Sequence, residues 1–304
     1  MDRQKVLAIV GPTGIGKTSL SVWLAKQLDG EIISCDSMQV YKKMDIGTAK
    51  VTQEEMQGIH HELIDVQNYN EPYNVKVFQE KCRTAIEDVV KRGKFPILCG
   101  GTGLYLKAAL YDYEFQEENE DIAYTTFLNS KTNEELVAML KEKDEKALEK
   151  IHPNNRKRLI RALQICHSGT SKSEQEDKQQ HIPLYDVYFL GLDVNREILH
   201  DRINKRVDIM FENGLVKEVE DLFTNPETWE YTSFQGIGYK EFKDYFLKEK
   251  SIDEVKTAIK THSRQYAKRQ YTWFKNQMHV HWFEAQNRDE IYSAVKEWLM
   301  DEDK

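Results

Sequence analysis

Eight residues near the N-terminus, Gly11-Pro12-Thr13-Gly14-Ile15-Gly16-Lys17-Thr18, fit the pattern G-x-x-x-x-G-K-[ST] at every constrained position. Such a run can grip a phosphate or diphosphate. Glycines let successive backbone N–H groups converge on phosphate oxygens with no Cβ in the way. A helix opening just after the loop adds partial positive charge. Lys17 supplies a mobile cation, and the Thr18 hydroxyl is placed to ligate Mg²⁺. Asp36, within SCDSMQVY, is a carboxylate that could act as a general base or as a magnesium ligand. In Gly100-Gly101-Thr102-Gly103 the Thr102 hydroxyl could touch a substrate, a plain turn being the alternative. Arg264, a long cation, is a natural clamp for a diphosphate leaving group.

These groups need elements that bring them together. Lys5–Val10 is a continuous apolar run, the mark of a strand buried on both faces. The loop follows it directly, and SLSVWLAKQL then carries Leu20, Trp23, Leu24 and Leu28 at helical spacing. Glu31–Cys35 reads as a second strand ending at Asp36, Tyr73–Arg92 as a helix stopped by Gly93, and Phe95–Cys99 as a third strand running into the glycine-rich turn. Strand character returns at Tyr185–Leu192 and His279–Phe283, and long helices are expected over Arg196–Thr224 and Ile252–Lys275. Alternation of this kind predicts an α/β fold, a P-loop NTPase-like core with a parallel sheet flanked by helices. Ligands in such sheets bind at the carboxyl ends of the strands, so Asp36 and Thr13 are expected to face one cleft.

After Tyr111 the composition changes. An acidic stretch is followed by Thr132–Ile151, polar and helical in pattern, then by a basic helix over Asn155–His167 and the low-complexity SGTSKSEQEDKQQH, expected to be a mobile loop. The division expected is 1–111 for the first part of the core, 112–152 for a mainly helical insertion, and 153–304 for the second part of the core.

The chain of 304 residues is long enough for a full core plus an insertion. No apolar run approaches the roughly 20 residues that cross a bilayer, so no membrane partner and a cytoplasmic location are expected. Four scattered cysteines, without a C-x-x-C pair, argue against disulfides and a structural zinc. Net charge is −8, at first sight unfavourable for a nucleic-acid partner, but the charges are segregated. Asp112 to Asp121 holds six acidic residues and no basic one, whereas Val255 to Phe283 holds no acidic residue and includes Lys256, Lys260, Arg264 and Lys268 at four-residue spacing. That spacing lines one helical face, which either meets phosphates or is a solvated face over core aromatics. NRKRLIR at 155–161 gives a second basic patch.

Taken together the motifs resemble one family, the bacterial tRNA dimethylallyltransferases. The likeness is carried by GPTGIGKT, ISCDSMQVYKKMDIGTAK, HHELIDV, GKFPILCGGTGLYLKA, HPNNRKRLIRAL, RVDIMFENGLVKEV, GIGYKEF and SRQYAKRQYTWF, in order along nearly the whole chain. The resemblance implies transfer of the five-carbon group of dimethylallyl diphosphate to N6 of the adenosine 3′ of the anticodon. Asp36 then resembles the base that takes the amine proton, and Thr13 the threonine at the reacting region. Gly11, Pro12, Thr13, Gly14, Ile15, Gly16, Lys17 and Thr18, with Arg264 and Mg²⁺ on Thr18, would hold the diphosphate. Asp36, Ser37, Met38 and Gln39 would border the flipped adenine and Thr102 would touch the tRNA. Lys157, Arg158, Leu159, Ile160 and Arg161 resemble the part that grips the anticodon stem-loop. The acidic stretch at 112–130 lacks the arginines such an insertion would carry. A monomer is expected. The alternatives are a P-loop small-molecule kinase using ATP and an adenylate-type isopentenyltransferase. Asp193, at a strand end, could mimic a kinase's metal-binding aspartate but reads mostly as structural.

Overall fold

β1 (Lys5–Val10) is buried on both faces because the chain supplies helices for each. Val6, Ala8 and Val10 point into one hydrophobic cluster and Leu7 and Ile9 into another, the period-two alternation of a pleated strand. In the computed structural model, which describes residues 3–115, 121–174 and 181–301, β1 lies inside a six-stranded sheet. The other strands are β2 (Gly30–Ser34), β3 (His61–Glu62), β4 (Phe95–Gly100), β5 (Asp186–Asp193) and β6 (His281–Glu284). Their order is β3-β2-β4-β1-β5-β6, and every pairing is parallel. The α/β architecture with helices on both faces is the one the apolar runs predict.

α1 (Lys17–Leu28) packs Leu20 and Leu24 on the Leu7 and Ile9 side, together with Ile291 and Val295 of the final helix. The opposite face receives α3 (Val75–Lys91) through Phe78, Cys82 and Val89, and α4 (Gly103–Leu110) through Leu106, Ala109 and Leu110. α2 is the single turn Gln53–Met56. The helix expected over Arg196–Thr224 is broken in two, α8 (Arg196–Glu212) and α9 (Leu215–Leu222). Gly214 separates them at a φ of 94°, a left-handed conformation that suits glycine. α10 (Lys243–Phe246) precedes the long α11 (Ile252–Gln277), which starts at a capping box in which Ser251 and Glu254 satisfy each other's backbone amides. α12 (Arg288–Met300) has no counterpart in the sequence reading, and neither has the two-residue β3. No helix among the described residues is long and apolar enough to cross a membrane.

The chain divides into two compact units, 1–111 with 183–304, and 112–182. The insertion therefore does not end at 152, as its composition suggests, but continues to Ile182. Within it α5 (Ile122–Asn129), α6 (Asn133–Asp144) and α7 (Arg156–His167) share a core of Leu128, Leu136, Leu140, Leu159, Ala162 and Leu163. The basic helix belongs there because its apolar stripe at 159, 162 and 163 has its partners on α5 and α6. Asp144 extends the unit by accepting hydrogen bonds from Ser173 N at 2.9 Å and Ser173 Oγ at 2.6 Å. That pins the beginning of the stretch expected to be a mobile loop, while 175–180 lie outside the described residues, as do 116–120 of the acidic stretch.

Burial makes a direct prediction. Ile9→Ala removes a side chain with 0% exposure and should lower the unfolding free energy by about 2–5 kcal/mol. Ile122→Ala, at 76% exposure, should change it by less than about 0.5 kcal/mol. Urea titration of the two variants checks the difference.

Candidate active site

The phosphate loop connects β1 to α1 through left-handed glycines, with φ of 141° at Gly11, 80° at Gly14 and 106° at Gly16. A side chain on Gly14 would also press on Ile203, whose Cγ1 lies 3.0 Å from where a Cβ would sit. Lys17 Nζ donates to the loop's own carbonyls, Gly11 O at 3.0 Å and Pro12 O at 2.9 Å. Burial pushes its ammonium down to about 8, against the opposing pull of Asp36. Thr18 is half-buried in the first turn of α1, and its hydroxyl makes no hydrogen bond among the described residues. Ile15 is 1% exposed and packs into the core, so it can offer a ligand only its backbone. The Thr13 amide is also committed, donating to Gln270 Oε1 at 2.9 Å, while Gln270 Nε2 donates to Gly101 O at 3.0 Å. One buried amide side chain on α11 thus ties the phosphate loop to the turn after β4.

Asp36 follows β2 by two residues. Its Oδ1 accepts from Met38 N at 2.8 Å and from Gln39 N at 3.3 Å, which fixes the carboxylate at the head of a turn and leaves Oδ2 for another task. Asp36, Thr13, Ser37 and Met38 line one cleft of about 370 Å³ together with Arg206 and Tyr266. Ile203, Val207 and Met210 of α8 give that cleft an apolar wall. Arg206 Nη1 donates to Thr13 Oγ1 at 3.1 Å. Burial lowers the Arg206 pKa and the Asp36 charge opposes that shift. Tyr266 is pushed up to about 12, by burial first and then by Asp36, so its phenol stays a donor at neutral pH. The arrangement sets a fixed carboxylate beside two desolvated cations and a phosphate loop.

The structure brings Thr13, Asp36, Ser37 and Met38 into one cleft, keeps Lys17 within electrostatic reach of Asp36, and sends other expected residues elsewhere. Arg264 lines a second cavity, of about 320 Å³, with Pro12, Ile15, Arg196 and Lys268, and it donates to Asn204 Oδ1 at 2.5 Å and Thr261 Oγ1 at 3.1 Å. Arg269 and Arg206 both line the cleft with Thr13 and Asp36, and the one that bonds to Thr13 is Arg206, which has no role in the sequence analysis. Its position inside RVDIMFENGL carries no local signal that separates it from a solvated helical arginine. Gln39 does not line the cleft. Its amide donates to Ala49 O at 3.1 Å and Thr48 O at 3.4 Å and so holds a neighbouring loop. Thr102 Oγ1 is buried without a hydrogen-bond partner of good geometry, with the Tyr266 phenol as a polar neighbour.

On the insertion, Lys157, Arg158 and Arg161 are exposed, as an RNA-facing patch requires. Leu159 is 0% exposed, so its side chain is withdrawn from tRNA, and Ile160 is half-buried against the same core. Helical phase is the reason, since only residues off the 159, 162 and 163 stripe can face solvent. Arg156 is structural, with Nη1 on Asn133 Oδ1 at 3.1 Å and Nη2 on Asn129 O at 2.9 Å. On α11, Lys256 and Lys260 both pair with Asp208 Oδ1, at 2.6 and 2.7 Å, and stabilise packing on α8. Asp193 has both oxygens engaged, by Val194 N at 2.8 Å and Tyr271 Oη at 2.7 Å, the structural reading of that residue. Glu31, His60 and Glu62 form a group of metal-binding type, but Arg92 bridges the two carboxylates at 2.6 and 2.8 Å.

Comparison with known proteins adds to this geometry. Residues 39–277 match the family model described as IPP transferase. A tRNA dimethylallyltransferase of Bacillus anthracis is 49% identical over 301 residues, covering 97% of this chain and 96% of its own, and one of Bacillus cereus (strain ATCC 10987 / NRS 248) is 48% identical over 97% and 95%. Among solved structures, the full-length tRNA isopentenylpyrophosphate transferase of Bacillus halodurans matches with a TM-score of 0.75 at 41% identity, over 98% of this chain and 97% of that one. A eukaryotic dimethylallyltransferase, described as acting on tRNA, matches with a TM-score of 0.81 at 32% identity, over 98% of this chain and 78% of that one. A family model spanning most of the chain, and relatives this similar over nearly all of it, place the chain in the IPP transferase family, that of the tRNA dimethylallyltransferases.

Proposed function

We propose that the cleft transfers the dimethylallyl group of dimethylallyl diphosphate to N6 of the adenosine 3′ of the anticodon in tRNA. The observation that carries this reading is the convergence of Thr13 of the phosphate loop, Asp36 and Arg206 on one cleft in a chain of this family. Backbone amides of Gly14 and Gly16, with Lys17, take the diphosphate. The Thr13 amide is not among them because Gln270 holds it. An exocyclic adenine amine is a weak nucleophile, so much of the barrier falls by stabilising the leaving group. Lys17 and Arg206, already desolvated, face the charge that grows on the diphosphate and need little reorganisation. The bond from the allylic carbon to the bridging oxygen breaks, the N6–carbon bond forms, and the amine proton passes to Asp36 Oδ2. Turning out an unpaired loop base costs less than extracting one from a duplex.

We propose that Mg²⁺ accompanies the diphosphate, and the chemistry of Thr18 supports this. Thr18 offers a hydroxyl with no hydrogen bond among the described residues, and an ion that keeps several waters and binds phosphate oxygens needs few protein ligands. Held by Thr18, it would supply charge neutralisation at the diphosphate. Lys157, Arg158 and Arg161 are the residues proposed to meet the tRNA backbone, which reconciles a negative net charge with an RNA substrate. We take the chain to act as a cytoplasmic monomer.

Purified protein incubated with unmodified tRNA, Mg²⁺ and labelled dimethylallyl diphosphate should place label in the adenosine beside the anticodon. Asp36→Asn should lower the rate about 100-fold or more with tRNA affinity nearly unchanged. Label appearing only on free adenylate, or phosphate moving from ATP to a small molecule in a parallel tube, would overturn the reading.

Arg206→Ala should lower kcat about 100-fold, the scale for losing one preorganised donor. Arg264→Ala, in the second cavity, should cost less than a tenth as much on a logarithmic scale. A larger loss at Arg264 would return the leaving-group role to it.

Neutralising Lys157, Arg158 and Arg161 together should reduce the slope of log affinity against log salt for tRNA by about 2. Filter binding across a salt series reads the slope, and an unchanged value would move the RNA surface elsewhere.

A further inference from the structure

The lining of the cleft also includes Gly47, Thr48 and Ala49. They belong to a tight loop in which Ala49 N bonds to Ile46 O at 3.0 Å and Lys50 N to Asp45 O at 2.9 Å. Ala49 holds a left-handed φ of 47°, a strained conformation for a residue with a Cβ. Such a loop needs an outside restraint, and Glu218 on α9 supplies it. One of its oxygens accepts from Asp45 N at 2.8 Å and Ile46 N at 2.7 Å. The other accepts from Gly47 N at 3.0 Å and from the Tyr239 hydroxyl at 2.7 Å. Three successive backbone amides and a phenol thus converge on one carboxylate. Burial and the adjacent Glu218 charge raise the Tyr239 pKa well above its usual value, so the phenol remains a donor. Gly47 lies flat on the Tyr239 ring, where a Cβ would come within 2.6 Å of ring carbons.

The far end of this loop meets the reacting groups. Ala49 O accepts from Gln39 Nε2 at 3.1 Å and receives Arg206 Nη2 at 3.4 Å, while Arg206 Nη1 rests on Thr13 Oγ1. A continuous path of contacts therefore runs from Glu218 through the loop backbone to Arg206 and the phosphate loop. We propose that Glu218 is a positioning residue for the transfer, holding Ala49 O where it orients the Arg206 guanidinium. This rests on the reading of the cleft as the transfer site. A glutamine at 218 would present an N–H group to amides that already donate, so it cannot reproduce the grip.

The test is a double-mutant cycle on the full chain, measured as single-turnover transfer to tRNA. Glu218→Gln alone should lower the rate about tenfold or more, the scale of loss when a reacting group is displaced, with tRNA affinity within about twofold. In an Arg206→Ala background the same change should cost less than about twofold, because the group it positions is gone. Tyr239→Phe, which removes only the fourth bond, should cost no more than about threefold. Multiplying losses in the double variant, or a rate within twofold of the parent for Glu218→Gln, would overturn the inference. The cycle is run in parallel with Glu218→Asp, which keeps the carboxylate but withdraws it from the amides, so a poorly folding glutamine variant still leaves a decisive comparison. Failure of the parent chain to transfer label, or an Arg206→Ala variant as fast as the parent, would instead sink the reading of the cleft.

Discussion

Parallel hydrogen bonding among β2, β4 and β1 is the constraint on which the rest of the molecule depends. The register pairs Ser34 with Cys99 and Val10 with Gly100, so the three strands end level with one another. The residues that follow them, Gly11 onward, Asp36, and Gly101 onward, must then emerge side by side at one edge of the sheet. Chain segments that stand 25 or more positions apart in sequence become neighbours without any specific contact between their side chains. Gln270 secures this edge by bonding both the Thr13 amide and the Gly101 carbonyl. A Cβ on Gly101 would come within 2.0 Å of that same side chain, so the turn after β4 is built around it.

The electrostatics of the cleft follow from this crowding. Lys17 and Arg206 are both held where burial disfavours their charge, and Asp36 is the carboxylate that offsets it. Desolvated cations kept in place by a neighbouring anion are poised to respond to a second anion. Polar groups that line the edge without net charge, Thr13 and Tyr266 among them, fix geometry and leave the charge balance unaltered.

The insertion obeys a separate logic. Its core is small, made by the leucines of three helices with Ala147, Ile151 and Ala162, and Lys157, Arg158 and Arg161 are exposed on α7. Arg156, spent on Asn133 and the Asn129 carbonyl, shows how one residue of a basic run can be structural while its neighbours remain available to solvent.

Local chemistry was legible in the sequence. The phosphate loop could be read because eight consecutive residues carry the whole motif, and the sheet because apolar runs and glycine turns are short-range signals. Asp36 could be placed because a carboxylate just past a buried strand has little freedom in a parallel sheet. Leu159 shows two signals in conflict: its basic neighbours mark an exposed block, whereas the spacing of Leu159, Ala162 and Leu163 marks the buried stripe that the fold uses. The missed α12 and the two-residue β3 depend on neighbours that supply a surface or an edge. What only the tertiary structure decided is which helical side chains reach the cleft. Arg206, Gln270 and Glu218 lie on helices far along the chain from the loop, where nothing in the local pattern distinguishes them from Arg264 or from solvated neighbours. Their roles arise from packing angles and from the reach of long side chains, and a linear pattern fixes neither.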